Sequence, residues 1–207
     1  MKGEVAIMKD AIAAKAVLMA LVLAISALFM SGCSGEKARF SAEMQAKIDS
    51  MQVVLNDMVT GKATLEKNLL TFDTLDFEVF SNQEWTRFHE SHSQDIIVNW
   101  PDGHQAVGLE KHIEDLKALF VYAPDTRIKQ HPIRFGDGAG DWTCVTGVFE
   151  GTFTKPMPIG EGKFIQPTGK AFKMPMCTVG HWKNGVMIEE SLFWDNKTYL
   201  DQIGIGK

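Results

Sequence analysis

The residues able to move a proton or hold an ion are few in this chain of 207 residues. Asp195 closes an apolar segment, directly after Phe193 and Trp194. A carboxylate against an apolar wall has its pKa raised toward the range in which it can move a proton. Asp is also a favoured N-cap, and a helical segment follows from Asn196 to Ile203, so capping and catalysis are both open here. His89 and His92 stand three apart near Asp95. Two imidazoles begin a metal site, but no third ligand of suitable spacing follows, so pocket-mouth or surface positions are expected and a metal is not. His131 precedes Pro132 and is open to a pocket, edge or buried role, whereas His104 and His112 read as turn and helix-surface residues. Cys144 and Cys177 fall in neighbouring strand-like segments, where a disulfide or two small buried side chains would both fit. Without CxxC spacing they make no zinc argument.

The elements that must position these groups come in two blocks. Residues 34 to about 60 carry Phe40, Met44, Ile48, Met51 and Leu55 at helical spacing, as a docked helix or a tether. Gly61-Lys62 interrupts that pattern, and a second helical stretch runs from Thr64 to Phe72. A short helix over Gln83–His89, a strand over Asp95–Trp100 stopped by Pro101-Asp102-Gly103, and an amphipathic helix over Leu109–Tyr122 complete the first block. The second block is strand-rich: Thr126–Phe135, Asp141–Thr154, Lys170–Lys183 and Val186–Asp195, with Asn184-Gly185 the strongest hairpin signal. Helices followed by hairpin-linked strands predict an α+β domain with helices on one face of a curled antiparallel sheet. The boundaries fall at 1–32 for a targeting segment, 33–61 for anchor and tether, and 62–207 for the domain.

The order of pieces resembles the cone-shaped nuclear-transport-factor-2-like fold. Within it, Trp100-Pro101-Asp102-Gly103, Gly147-Val148-Phe149-Glu150-Gly151-Thr152, Lys183-Asn184-Gly185-Val186 and the closing Trp194-Asp195 with Gln202-Ile203-Gly204 are similar to SnoaL-like polyketide (ester) cyclases. The resemblance covers roughly Leu65 to Gly204. It implies cofactor-free ring closure by intramolecular aldol condensation, with Asp195 at the position of the catalytic acid and His181 at that of a nearby histidine. His181 would orient a carbonyl or steady an enolate, although a solvent-facing hairpin residue is equally open there. Substrate-binding roles are expected of Trp100, His92, His131 and Trp194, and homodimers are frequent in the family. The aromatic and sulfur residues of the strands, among them Trp142, Trp182, Phe172 and Met174, suit a flat apolar ligand where they face a cavity, though alternation sends half of them the other way. The chain departs from the family in its N-terminal extension and its long Thr154–Pro167 loop.

That extension has its own reading. Lys2, Lys9 and Lys15 precede an apolar run from Ala16 to Met30, which leads into Ser31-Gly32-Cys33. The run is shorter than the ~20 residues that span a bilayer. Met30-Ser31-Gly32-Cys33 is similar to a bacterial lipobox, in which Cys33 is lipidated, and Ser34 after it is similar to outer-membrane lipoproteins of Gram-negative cells. A net charge of −5 without basic runs argues against nucleic acid as a partner. Two functions remain: a cofactor-free enzyme acting on a small carbonyl compound, or a non-catalytic envelope lipoprotein holding a hydrophobic small molecule or a partner protein. Cys33→Ser is expected to move the protein from the membrane pellet to the soluble fraction of fractionated cells. Retention in the pellet would remove the lipobox reading.

Overall fold

The structure, a computed structural model, describes residues 34–206. The targeting segment and Cys33 lie outside those residues. The first described element is a single helix, α1, Ser34–Thr74. By contacts the chain divides into two compact units that meet between Thr60 and Gly61. In the first unit α1 has no Gly or Pro between residues 36 and 60 to interrupt it. Side-chain hydrogen bonds one turn apart, Gln45 to Asp49 at 2.8 Å and Gln52 to Asn56 at 3.1 Å, run along it. Met51, Val54 and Met58 of this unit are exposed. Among the described residues, no helix is long and apolar enough to cross a membrane.

The second unit begins inside α1, at a glycine the sequence pattern reads as a helix break. The helix instead continues through Gly61-Lys62, because the glycine serves a close approach: a Cβ on Gly61 would lie 2.0 Å from the Gly138 carbonyl oxygen. Two turns on, the Asn68 amide donates 2.9 Å to the Gly140 carbonyl, which fixes this part of α1 on the loop that enters the longest hairpin. A π-helical turn follows over Leu75–Phe80 and a 3₁₀ turn over Trp85–Glu90. The wide turn aims Leu75, Asp76, Val79 and Phe80 inward.

The strands are β1 His92–Asn99, β2 Gln105–Val107, β3 Arg127–Ile128, β4 Ile133–Gly136, β5 Trp142–Thr152, β6 Met157–Pro158, β7 Phe164–Ile165, β8 Ala171–Lys183 and β9 Val186–Phe193. Helices α2, Leu109–Tyr122, and α3, Asn196–Ile203, match the spans read from the sequence. The main sheet runs β2-β1-β9-β8-β5-β3, with β4 also on β5, and β6 and β7 form a separate pair. It is an unclosed, curved antiparallel sheet apart from one pair, β1 lying parallel to β9. The Asn184-Gly185 turn has φ of +54° and +82°, the mirror-image geometry that hairpins favour. β5 alternates strictly between buried and less buried residues, so Val145 and Phe149 face the helices.

One expectation changes and one open alternative closes. The long strand over Thr126–Phe135 is broken into β3 and β4, because Pro132 has no N–H for a ladder and His131 turns inward between them. Cys144 and Cys177 are not bridged: they sit diagonally across the β5–β8 ladder with their sulfurs 3.5 Å apart. Burial, helped by the neighbouring thiol, pushes Cys177 up to about 11. Gly61→Ala is expected to cost about 2 kcal/mol in urea unfolding, the backbone clash outweighing the ~1 kcal/mol that alanine adds to helix propensity. An unchanged midpoint would show that the loop yields freely.

Candidate functional site

The helices and the inner face of the sheet enclose a chamber of about 40 Å³. Its polar groups are Asp76 from the π-helical turn, His92 from β1, His112 from α2, Thr178 from β8 and Glu190 from β9. Leu75, Phe80, Phe88, Leu116, Ile128 and Leu192 supply an apolar wall. Trp100, Leu119, Phe149 and Trp194 also line a wider groove of about 460 Å³, continued by Tyr122, Met157 and Tyr199. These four side chains therefore stand between chamber and groove. Trp100 and Trp194 meet edge to face at 5.9 Å, and the Tyr122 and Tyr199 hydroxyls hydrogen-bond at 2.8 Å.

Each polar group arrives by an identifiable local cause. His112 belongs to the buried stripe Leu109, His112, Leu116 and Phe120 of α2, spaced three and four apart, and so is a buried residue and not the surface residue expected of it. Burial pushes its imidazole down to about 4, so it is neutral at physiological pH. His92 opens β1 fully buried, with Nδ1 2.8 Å from Ser91 Oγ. That hydroxyl also lies 3.2 Å from the Phe88 carbonyl, and the other ring nitrogen, Nε2, has no hydrogen-bond partner. Glu190 alternates with Leu192 on the inward face of β9. Its Oε2 lies 3.6 Å from His92 Nε2 and 3.4 Å from His112 Nε2.

A second polar chain backs the chamber. His131 Nδ1 and Nε2 each lie 2.8 Å from a carboxylate, those of Asp73 and Asp76. Arg134 pairs with Asp73 from the outside. Burial pulls His131 down, but the two aspartates outweigh it and hold the imidazole above its ordinary value. Burial raises Asp76 despite His131, whereas for Glu190 the histidines outweigh burial and hold the carboxyl below the usual range. One chamber thus contains two carboxyls pushed in opposite directions.

The structure distributes the sequence-predicted residues unevenly. His92, Trp100 and Trp194 line the chamber, and His131 lies behind it as the clasp on Asp76. Asp195 and His181 are not among the residues lining it. Asp195 is exposed and caps α3, accepting 2.6 Å from the Thr198 N–H. That hydrogen bond holds its carboxyl below the usual range, the reverse of the raised value expected of a proton-transfer group. His181 registers with Glu189, the neighbour of inward Glu190, and so occupies the opposite face, stacked on Trp142 at 4.1 Å. Strand parity keeps it from the chamber. The sequence reading missed Asp76, His112 and Glu190; the spacing of His112 with Leu109 and Leu116 was the available signal, while adjacent Glu189 and Glu190 gave no hint of which faced inward.

A curved sheet wrapped by helices around a small polar-ended chamber is the architecture of the nuclear-transport-factor-2-like class. The chain belongs to the SnoaL-like polyketide cyclase family, whose model matches residues 73–203. Solved structures share the fold at low identity. A protein described as a SnoaL-like polyketide cyclase from Jannaschia sp. CCS1 is 19% identical, with 67% of this chain and 92% of that one covered and a TM-score of 0.58. A protein described as a polyketide cyclase from Xanthomonas campestris pv. campestris is 11% identical, covering 68% and 99% at a TM-score of 0.60. IdmH from Streptomyces antibioticus is 21% identical, covering 66% and 98% at a TM-score of 0.53. No curated protein matches the chain.

His131→Gln tests the clasp. The folded pKa of His131 lies above its unfolded value of about 6.5, so its stabilisation is complete below that pH and is lost as the pH rises through the folded value. The variant is expected to lose about 2–3 kcal/mol near pH 6 and less at alkaline pH. Urea titrations across that range check it; a loss that does not shrink on going alkaline would remove the charge from the clasp.

Proposed function

We propose that the protein is a cyclase-family enzyme that transfers protons on a small carbonyl compound, with Asp76 as acid/base. The substrate's apolar body lies in the outer groove, and its carbonyl end passes Trp100 and Trp194 to meet His92, His112 and Glu190. One observation carries this reading: a buried carboxyl, clasped from behind by His131, faces an apolar chamber that adjoins a larger aromatic-lined groove. Burial moves Asp76 toward the range where a carboxyl both takes and returns a proton.

In an aldol-type ring closure Asp76 takes the proton from the carbon next to the carbonyl. The resulting enolate carbon attacks a second carbonyl of the same molecule, and the new alkoxide regains the proton from Asp76. No proton is gained or lost overall. His131, fixed by Asp73, keeps Asp76 oriented through both transfers. The chamber is well below the ~300–1,000 Å³ of ordinary ligand pockets, so only a small reacting end enters while the groove takes the rest. With a lipid on Cys33, this chemistry would take place in the cell envelope.

The test follows deuterium wash-in beside the carbonyl of β-tetralone, a flat aromatic ketone, by proton NMR in D₂O. The chain is expected to accelerate exchange, and Asp76→Asn to slow it by about 10²–10⁴-fold while near-UV circular dichroism stays unchanged. Equal exchange by parent and variant would defeat the role of Asp76. Binding of the ketone without any acceleration would favour a non-catalytic carrier.

A further inference from the structure

We propose that His92, His112 and Glu190 form a binding site for one divalent transition-metal ion of the zinc type. The proposal deepens the proton-transfer reading by naming the electrophile for the substrate oxygen, but it stands on its own geometry. One ring nitrogen from each histidine and a carboxylate oxygen of Glu190 all lie within 4.8 Å of one another. The edge of a tetrahedron built on bonds of about 2.1 Å is roughly 3.4 Å. The two distances to Glu190 Oε2, 3.4 Å from His112 and 3.6 Å from His92, fall on that edge and are long or poorly directed for hydrogen bonds.

Burial and unmet hydrogen bonding point the same way. His92 is held through Nδ1, 2.8 Å from Ser91 Oγ, which leaves its Nε2 on the Glu190 side, 3.6 Å from Oε2. A buried carboxylate calls for a cation or well-directed hydrogen-bond donors beside it. The chamber lining contains no Lys or Arg that could serve. His92 and Glu190 are both buried, and His92 Nε2 is without a hydrogen-bond partner, as is His112 Nδ1. A metal-binding histidine is normally oriented through its other nitrogen, and Ser91 already does this for His92.

The donor set fixes the class of ion. Two imidazoles and one carboxylate suit zinc and its first-row neighbours and are a poor match for calcium or magnesium, which take mainly oxygen. Three protein ligands leave coordination positions open toward the chamber, the pattern of reactive and not structural zinc sites. A carbonyl oxygen bound there would be polarised, and the adjacent carbon acid would be presented to the chamber that Asp76 also lines.

The experiment uses the full chain, stripped with chelator, dialysed against Zn²⁺ and analysed by mass spectrometry of the metal, with Co²⁺ as a spectroscopic probe. One Zn²⁺ per chain is expected, with visible Co²⁺ bands of a low-coordinate nitrogen and oxygen site. His112→Asn and Glu190→Gln should lose the ion, and Ser91→Ala should weaken it about 10–100-fold, while exposed His104→Asn leaves it unchanged. Should the ligand variants fail to fold, the Co²⁺ spectrum of the parent and the Ser91→Ala affinity decide. No stoichiometric retention by the parent overturns the proposal. So does uptake unchanged in folded ligand variants, or a thiolate charge-transfer band, which would assign the ion to cysteine. Asp76→Asn is expected to keep the metal, so a failure of the proton-transfer reading and a failure of the metal site give different results.

Discussion

Everything around the chamber depends on how two carboxylates are tolerated inside an apolar enclosure. An isolated buried carboxylate costs several kcal/mol even after relaxation, more than a single hydrogen bond returns. Asp76 is supported by a histidine that a second aspartate anchors, so one carboxylate stays close to the surface while the other faces inward. Glu190 instead has two histidines at longer range, one of them neutral because of its own burial. The two solutions are unequal. The Asp76 clasp is made by side chains alone, whereas the Glu190 cluster leaves ring nitrogens unsatisfied, and that asymmetry is what the two proposals build on.

The surrounding elements serve that arrangement. The π-helical turn rotates Asp76 inward while Asp73, in the preceding turn, still reaches His131. The break at Pro132 lets His131 leave the sheet and enter the clasp. β1 pairs in parallel with β9, bringing His92 and Glu190 onto one wall from segments ninety-odd residues apart, while α2 covers them with His112. Asp76, His131 and His92 each come from an irregular point, the π-helical turn, the break at Pro132 and the register shift of the β1–β9 ladder, whereas His112 comes from a regular helix.

The amphipathic span of α2, the Asn184-Gly185 hairpin and α3 could be read from the chain because periodicity and turn chemistry are local. The family resemblance was legible for the same reason, resting on turns and on the ending around Gln202-Ile203-Gly204. The site was not. Whether a strand residue faces in or out depends on register, and a shift of one residue exchanges Glu189 for Glu190 and His181 for Gly180. A histidine by its type suits the polar face of a helix, and only the packing of α2 puts His112 on the buried one. A glycine in a helix has two explanations, and the close approach of Gly138 lies seventy-odd residues away in the chain.

Asp195 shows why resemblance and chemistry separate in this fold. It ends the final strand and starts α3, and the free amides of a helix start are satisfied by a carboxylate there whatever else the protein does. That role turns Oδ1 toward the Thr198 amide and leaves the side chain in water. A group so stabilised in its ionised form is a weak proton acceptor, whereas a carboxyl raised by burial is a stronger one. On the proposed proton-transfer reading, the demand for a base in an apolar environment favours Asp76, at the other end of the domain sequence, over the residue that matches by position. The fold supplies the enclosure, and on that reading the carboxyl kept from water is the one suited to work within it.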